Sequence, residues 1–244
     1  MRILVTGGAG YLGSEVCRQA LEAGHDVVAT QLRRPAPYGR PLELDLRDRV
    51  DFDEVDVVIH TAYVQADPEM IVRSTGNVAA AARRSGARLI HLSTDLVFGG
   101  EHAPYAEGDD PRPVSDYGRA KLAAEGFVGG LVVRTSLLYG KPGPQEALAA
   151  RGDVAFHEDE IRCPTHVADL AAALLELTAL DATGVLHVAG PEAVSRLELA
   201  RLLGARDPQG APTPPGRARN VALDSSRAAS LLTTRLRGIR EIKP

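Results

Sequence analysis

Lysine is scarce in this chain: against a Lys+Arg total of 28, the lysines are Lys121, Lys141 and Lys243 alone. A lysine placed beside a reactive group therefore stands out. Cysteine is scarcer still. The two residues, Cys17 and Cys163, lie far apart and form no metal-ligand pattern, so buried thiols in a reducing compartment are expected rather than a disulfide. No apolar run reaches roughly 18 residues, which excludes an apolar helical span. No charged leader with an apolar segment precedes the first strand, so the chain is read as cytoplasmic and without a membrane partner. Excess positive charge is missing too: a net charge of −4 and a pI near 6.0 argue against nucleic acid as a partner. His60 and His91 fall in apolar strands without a carboxylate or cysteine cluster. They are read as core histidines, and no metal site is expected.

What is present is an ordinary globular composition, 44% hydrophobic and 25% charged over 244 residues, enough for one large or two small domains. Arg2–Thr6 reads as a buried strand. It runs into T-G-G-A-G-Y-L-G and then an amphipathic stretch to about Ala23. In this strand–turn–helix context Gly7 permits the tight turn, Gly10 lets backbone approach a pyrophosphate, and Gly13 lets helix pack on strand. The N–H groups at the helix start then hold phosphate. A second strand, Asp26–Thr30, ends at Thr30-Gln31 where an NAD-specific site would carry a carboxylate. Arg33 and Arg34 follow, and two guanidiniums could pair with a 2′-phosphate or could form a solvated turn. NADP(H) is the expected cofactor, with NAD(H) left open.

Leu42–Leu44 ends a third strand at Asp45, a plausible partner for an adenine amine, and Val55–His60 is a fourth leading to Thr61-Ala62-Tyr63. Pro68–Ser85 reads as a helix closed by Gly86, with Asn77 inside it needing a partner. Arg88–Leu92, Leu131–Arg134 and Val185–Ala189 are further strands, Thr165–Leu180 a long helix, Ser195–Leu203 a helix with a capping box to Glu198, and 207–219 irregular. Alternating strands and helices with short turns predict an α/β, Rossmann-like, doubly wound parallel sheet.

The fifth strand delivers Ser93-Thr94-Asp95 at its carboxyl end, where open α/β sheets bind ligands. Tyr117 and Lys121 lie four residues apart, on one face if a helix starts near Asp116. A lysine ammonium near a phenol favours the phenolate, so the tyrosine would exchange protons more readily at neutral pH. A solvent-facing pair on an ordinary helix is the alternative.

With these motifs in this order the chain resembles an extended short-chain dehydrogenase/reductase, and within it the dTDP-4-dehydrorhamnose reductase group of sugar-nucleotide reductases. The stretches carrying the likeness are S-T-D-L-V-F-G-G at Ser93–Gly100, P-Y-A-E at Pro104–Glu107, Y-G-R-A-K at Tyr117–Lys121, and C-P-T-H-V-A-D-L-A at Cys163–Ala171. The resemblance implies reduction of a keto group, of a dTDP-4-keto-sugar or a related small carbonyl compound. Tyr117 would donate the proton, Lys121 would hold the nicotinamide ribose, and Thr94 would hydrogen-bond the carbonyl. The cofactor set it implies is Gly7, Gly10, Tyr11, Leu12, Gly13, Arg33, Arg34, Asp45, Leu46, Thr61, Ala62, Tyr63, Ser93, Tyr117 and Lys121. The substrate set is Thr94, Asp95, Leu96, Ser136 and Arg162. Residues 1–140, with 164–190 returning, would form the dinucleotide domain; 141–163 and 191–244 would form a small substrate-binding subdomain.

Leu96 stands where the group has an aromatic residue, and Arg151, Arg162, Arg217 and Arg219 are the cations near a diphosphate. An NAD-retaining epimerase and a non-catalytic, NADP-binding regulatory subunit are the alternative functions. Pro68–Ser85 and Ser115–Gly126 could pair across a homodimer.

Overall fold

The protein is described by a computed structural model, in which residues 1–140 and 142–243 are described. The chain passes through β1 (Arg2–Thr6), α1 (Tyr11–Glu22), β2 (Asp26–Gln31), β3 (Arg40–Glu43) and β4 (Val57–His60). Next come α2 (Pro68–Ser85), β5 (Arg88–Thr94), a 3-10 turn at Asp95–Val97, α3 (Asp116–Glu125) and β6 (Leu131–Thr135). Short pieces follow: β7 (Leu138–Tyr139), α4 (Pro144–Ala149), β8 (Phe156–His157), β9 (Ile161–Arg162) and β10 (Thr165–His166). The last part holds α5 (Val167–Ala179), β11 (Gly184–His187), β12 (Val194–Ser195), α6 (Arg196–Leu202), β13 (Gly210–Ala211), α7 (Ser226–Leu231) and α8 (Ile239–Ile242).

Seven strands form one parallel sheet in the order β11-β6-β5-β4-β1-β2-β3. The period-2 alternation of β1 sorts its side chains between two layers. Ile3 and Val5 join Val16, Leu170, Leu174 and Leu177 under α1 and α5, while Leu4 joins Val58, Val78 and Ala82 under α2. Burying each such Leu or Ile contributes about 1.5–3 kcal/mol. Because α1 and α2 leave the neighbouring strands β1 and β4 toward opposite faces, a crevice opens at the carboxyl ends of those strands. This is the predicted doubly wound fold.

Local signals place α2 to the residue. Asp67 Oδ1 accepts from Met70 N, Pro68 is the first helical residue, and Gly86 closes the helix in the left-handed region at φ +73°. Asn77 has the partner its position demands: its side-chain amide donates to Leu46 O over 3.0 Å. Other boundaries move. β5 extends past Leu92 to Thr94 because Ser93 and Thr94 stay in register with Arg134 and Thr135. The helix expected from Thr165 starts at Val167, since Thr165 N bonds Leu137 O and makes β10 instead. The irregular 207–219 segment contains β13, paired with β8. Ser195 caps α6 through Glu198 N, while the Glu198 carboxylate ion-pairs with Arg240. His60 and His91 are buried in the core, and Cys17 and Cys163 are buried free thiols. No helix of the described residues is long and apolar enough to cross a membrane.

Candidate active site

At the end of β1 the chain turns through Gly7, at φ +71°, into a bend whose Gly10 N bonds Gly7 O over 2.8 Å. A Cβ on Gly7 would meet Ala62 Cα at 3.0 Å, so the bend and the loop after β4 are in close approach. The bend is pinned from both neighbouring strands. Gly7 N donates to Thr30 Oγ1, Thr61 Oγ1 donates to Thr6 O, and Ala62 N donates to Thr6 Oγ1. Thr75 Oγ1 gives its proton to Ile71 O, so His60 Nε2–H must donate to Thr75 and Nδ1 must accept from Thr6. Burial, reinforced by the Lys121 charge, holds His60 neutral down to about 3. Gly10 is the N-cap of helix α1, which has no side-chain cap and no acid in its first turn, the arrangement of a phosphate-binding helix end. The Leu12 side chain is buried in the core, and the Tyr11 ring lies against Gly143 at the start of α4. These residues fit a dinucleotide pyrophosphate.

At the end of β2 Thr30 is buried and Gln31 half-buried, Gln31 Oε1 accepting from Ala36 N, while Arg33 and Arg34 are exposed. Asp45, expected to meet an adenine amine, holds Arg47 through its side chain and backbone. Those bonds, with the Arg33 charge adding, bring its carboxyl down to about 2. The Leu46 side chain is in the core under α2.

Helix α3 opens at Ser115, whose Oγ accepts from Gly118 N, and so sets Tyr117 and Lys121 on one face toward β5. Lys121 is buried: Nζ donates to Leu92 O over 2.6 Å and lies 5.0 Å from the Tyr63 ring centroid. Tyr63 in turn sits 5.9 Å, centroid to centroid, from Tyr117. The phenol lies close to Thr94. Phenol, amine and alcohol are thus gathered at the carboxyl end of β5, as expected. Their electrostatics are not as expected. Burial pushes the Tyr117 phenol up, Tyr63 and Asp95 add to the rise, and Arg162 and Thr94 oppose it. Burial also brings Lys121 down to about 8, with Glu125 pulling the other way.

Four expected ligand contacts are spent inside the protein. Ser93 Oγ donates to Glu125, which also takes Arg134 in a buried ion pair, so Ser93 faces α3 and not the crevice. Asp95 is fully buried, Ser136 Oγ donates to it, and Arg162 binds both its oxygens. Leu96 is half-buried and contacts the cluster of Val97, Phe98 and Tyr105. Arg162 also reaches Glu160, and the other expected cations are paired: Arg151 with Asp153, Arg217 with Glu160, Arg219 with Asp159. Sequence reading missed Arg196, which donates to Gln145 and lies near Glu160, Arg162 and Arg217. The Pro104–Glu107 motif is architectural. Tyr105 Oη accepts from three backbone N–H groups, of Gly100, Glu101 and His102, and Glu107 accepts from His187 N. Among the described residues no group of three His, Cys, Asp or Glu side chains could hold a metal ion.

Fold and site together define an NAD(P)-dependent reductase of the extended short-chain dehydrogenase/reductase type. The RmlD substrate binding domain model matches residues 1–241, and the chain belongs to that family. It is 36% identical over 232 residues to a dTDP-4-dehydrorhamnose reductase of Mycobacterium tuberculosis, covering 82% of this chain and 73% of that one. It is 32% identical over 234 residues to methionine adenosyltransferase 2 subunit beta of Rattus norvegicus, covering 82% and 70%. Among solved structures, MoeE5 in complex with UDP-glucose and NAD aligns at a TM-score of 0.84 and 27% identity, over 99% of this chain and 95% of that one.

Proposed function

We propose that the protein is an NADP(H)-dependent oxidoreductase that reduces the keto group of a dTDP-4-keto-sugar or a related small carbonyl compound. The observation that carries the reading is the convergence of Thr94, Tyr117 and Lys121 at the carboxyl end of β5, against Tyr63 of the loop after β4. The nicotinamide, when bound, supplies the hydride of the reduction. The chain's own residues manage the oxygen. Tyr117 donates its proton to the carbonyl oxygen as that oxygen becomes an alcohol, and the phenolate left behind is reprotonated from solvent. The Lys121 ammonium is held 2.6 Å from Leu92 O on the same helix face and offers its remaining donors to a ribose and to the phenolate. A phenol pushed up by burial is protonated through neutral pH, the state a donor needs.

Arg33 and Arg34, exposed past β2 where no carboxylate stands, support NADP(H) over NAD(H). The neighbour holding UDP-glucose supports a nucleotide-sugar substrate. A homodimer through α2 and α3 is part of the proposal; Phe127 beside Gly76 is 43% exposed there. The likeness to a methionine adenosyltransferase subunit favours a second reading, a regulatory subunit that binds the dinucleotide without turnover. Calorimetric titration with NADPH and NADH, followed by a keto-sugar-nucleotide screen monitored by NADPH absorbance, separates the two. Turnover supports the reductase. Tight NADPH binding with no turnover on any keto-sugar nucleotide supports the regulatory subunit.

A further inference from the structure

We propose that Arg196 is the cation that receives the diphosphate of a nucleotide-sugar substrate, and that it sets the preference for a phosphorylated over a free sugar. The proposal rests on the reductase reading and deepens it by naming the part of the substrate that the segment after β7 holds.

Charge beside the reaction centre does not balance. Asp95, next to Thr94, is taken by Arg162, and Arg162 also reaches Glu160 over 3.4 Å. Glu160 takes Arg217 over 3.0 Å and meets His157 over 2.7 Å. The carboxylates of Asp95 and Glu160 are thus offset by the guanidiniums of Arg162 and Arg217. Arg196 is a further guanidinium, and it forms no ion pair among the described residues. It is half-buried, and its Nη1 donates to the uncharged Gln145 Oε1 over 2.8 Å. Burial lowers it below the ordinary guanidinium value; Glu160 opposes the fall, and Arg162 and Arg217 add to it. A cation drawn out of water without a counter-ion is costly, and a planar fork with donors to spare matches phosphate oxygens.

Position selects the anion. Arg196 N donates to Glu160 O over 3.0 Å, which puts Arg196 last in the row Thr94, Asp95, Arg162, Glu160. Gln145 belongs to α4, whose N-cap Gly143 lies against the Tyr11 ring at the start of α1. Arg196 is therefore tied to the reaction centre on one side and to the cofactor bend on the other. In a 4-keto-sugar nucleotide the diphosphate leaves C1, across the ring from the C4 carbonyl that Tyr117 meets, and so projects away from Thr94. A carboxylate on the carbon beside C4 would fall near Arg162, which Asp95 and Glu160 already neutralise.

The test is calorimetric titration of the NADPH-loaded protein with dTDP, and of the free protein with NADPH, for wild type, Arg196→Gln and Arg196→Lys. Arg196→Gln is expected to weaken dTDP about tenfold or more, the range of a charged hydrogen bond, with the NADPH Kd within about twofold of wild type. Arg196→Lys, which keeps the charge and loses the fork, should recover part of the affinity. With dTDP-4-dehydrorhamnose, KM should rise about tenfold in Arg196→Gln while kcat stays within about threefold. Free Arg196→Gln should unfold at or above the wild-type temperature, because an unpaired cation has gone. Unchanged dTDP affinity, or equal losses for dTDP and NADPH, overturns the proposal. So does a variant that keeps dTDP affinity but loses UDP-glucuronic acid relative to UDP-glucose, which would assign Arg196 to a sugar carboxylate. A wild-type protein that binds dTDP yet reduces no keto-sugar nucleotide would instead remove the reductase reading and leave the anion site standing.

Discussion

A side chain on Gly13 would place its Cβ 2.2 Å from the Gly7 carbonyl oxygen and 2.9 Å from Thr61 Oγ1. The first turn of α1 thus presses directly on the strand that feeds it, and the glycine bend has one shape. Gly13→Ala is expected to cost at least the 1–3 kcal/mol typical of an overpacked site and to weaken NADPH binding tenfold or more. Urea denaturation and calorimetry check the two effects. Unchanged affinity in a stable variant would mean that the bend does not hold the cofactor.

Arg33 and Arg34 lie exposed beyond β2, and Thr30 is occupied with Gly7 N. The double variant Arg33→Ala, Arg34→Ala should lose about tenfold or more in NADPH affinity, each charged hydrogen bond being worth about 1.5–3 kcal/mol. NADH binding should stay within about twofold. Equal losses for both cofactors would reject a 2′-phosphate contact.

Lys121 carries a stability signature. Burial lowers its ammonium from 10.5 to about 8 in the folded protein, so between those pH values the unfolded chain binds more protons than the native one. Stability contributed at this position therefore rises with pH across that window. The unfolding free energy of wild type minus that of Lys121→Met should climb from pH 8 to 10 and lie flat below 7. A difference independent of pH would show that the ammonium is not depressed.

What the sequence made legible was local. The strand–glycine–helix run, the Pro68–Ser85 span of α2 closed by Gly86, and the four-residue spacing of Tyr117 and Lys121 are set by neighbours in the chain, and each is found in place. Tertiary pairing was not legible. Asp95 and Arg162 lie 67 residues apart, and nothing near either shows that their charges are spent on each other. Burial, not Lys121, dominates the Tyr117 phenol, and burial is a property of the assembled site. Ser93 did leave a signal: a strand running to Thr94 puts it on the same side as His91, under α3, by simple alternation.

The central claim is that Tyr117 delivers the proton, and Tyr117→Phe tests it by removing one oxygen while keeping the ring that packs beside Tyr63 and α2. Turnover of dTDP-4-dehydrorhamnose by NADPH should fall by a factor of about 100 or more, the range of general-acid contributions, with NADPH affinity within a few-fold of wild type. A Tyr117→Phe enzyme that retains wild-type kcat would contradict it.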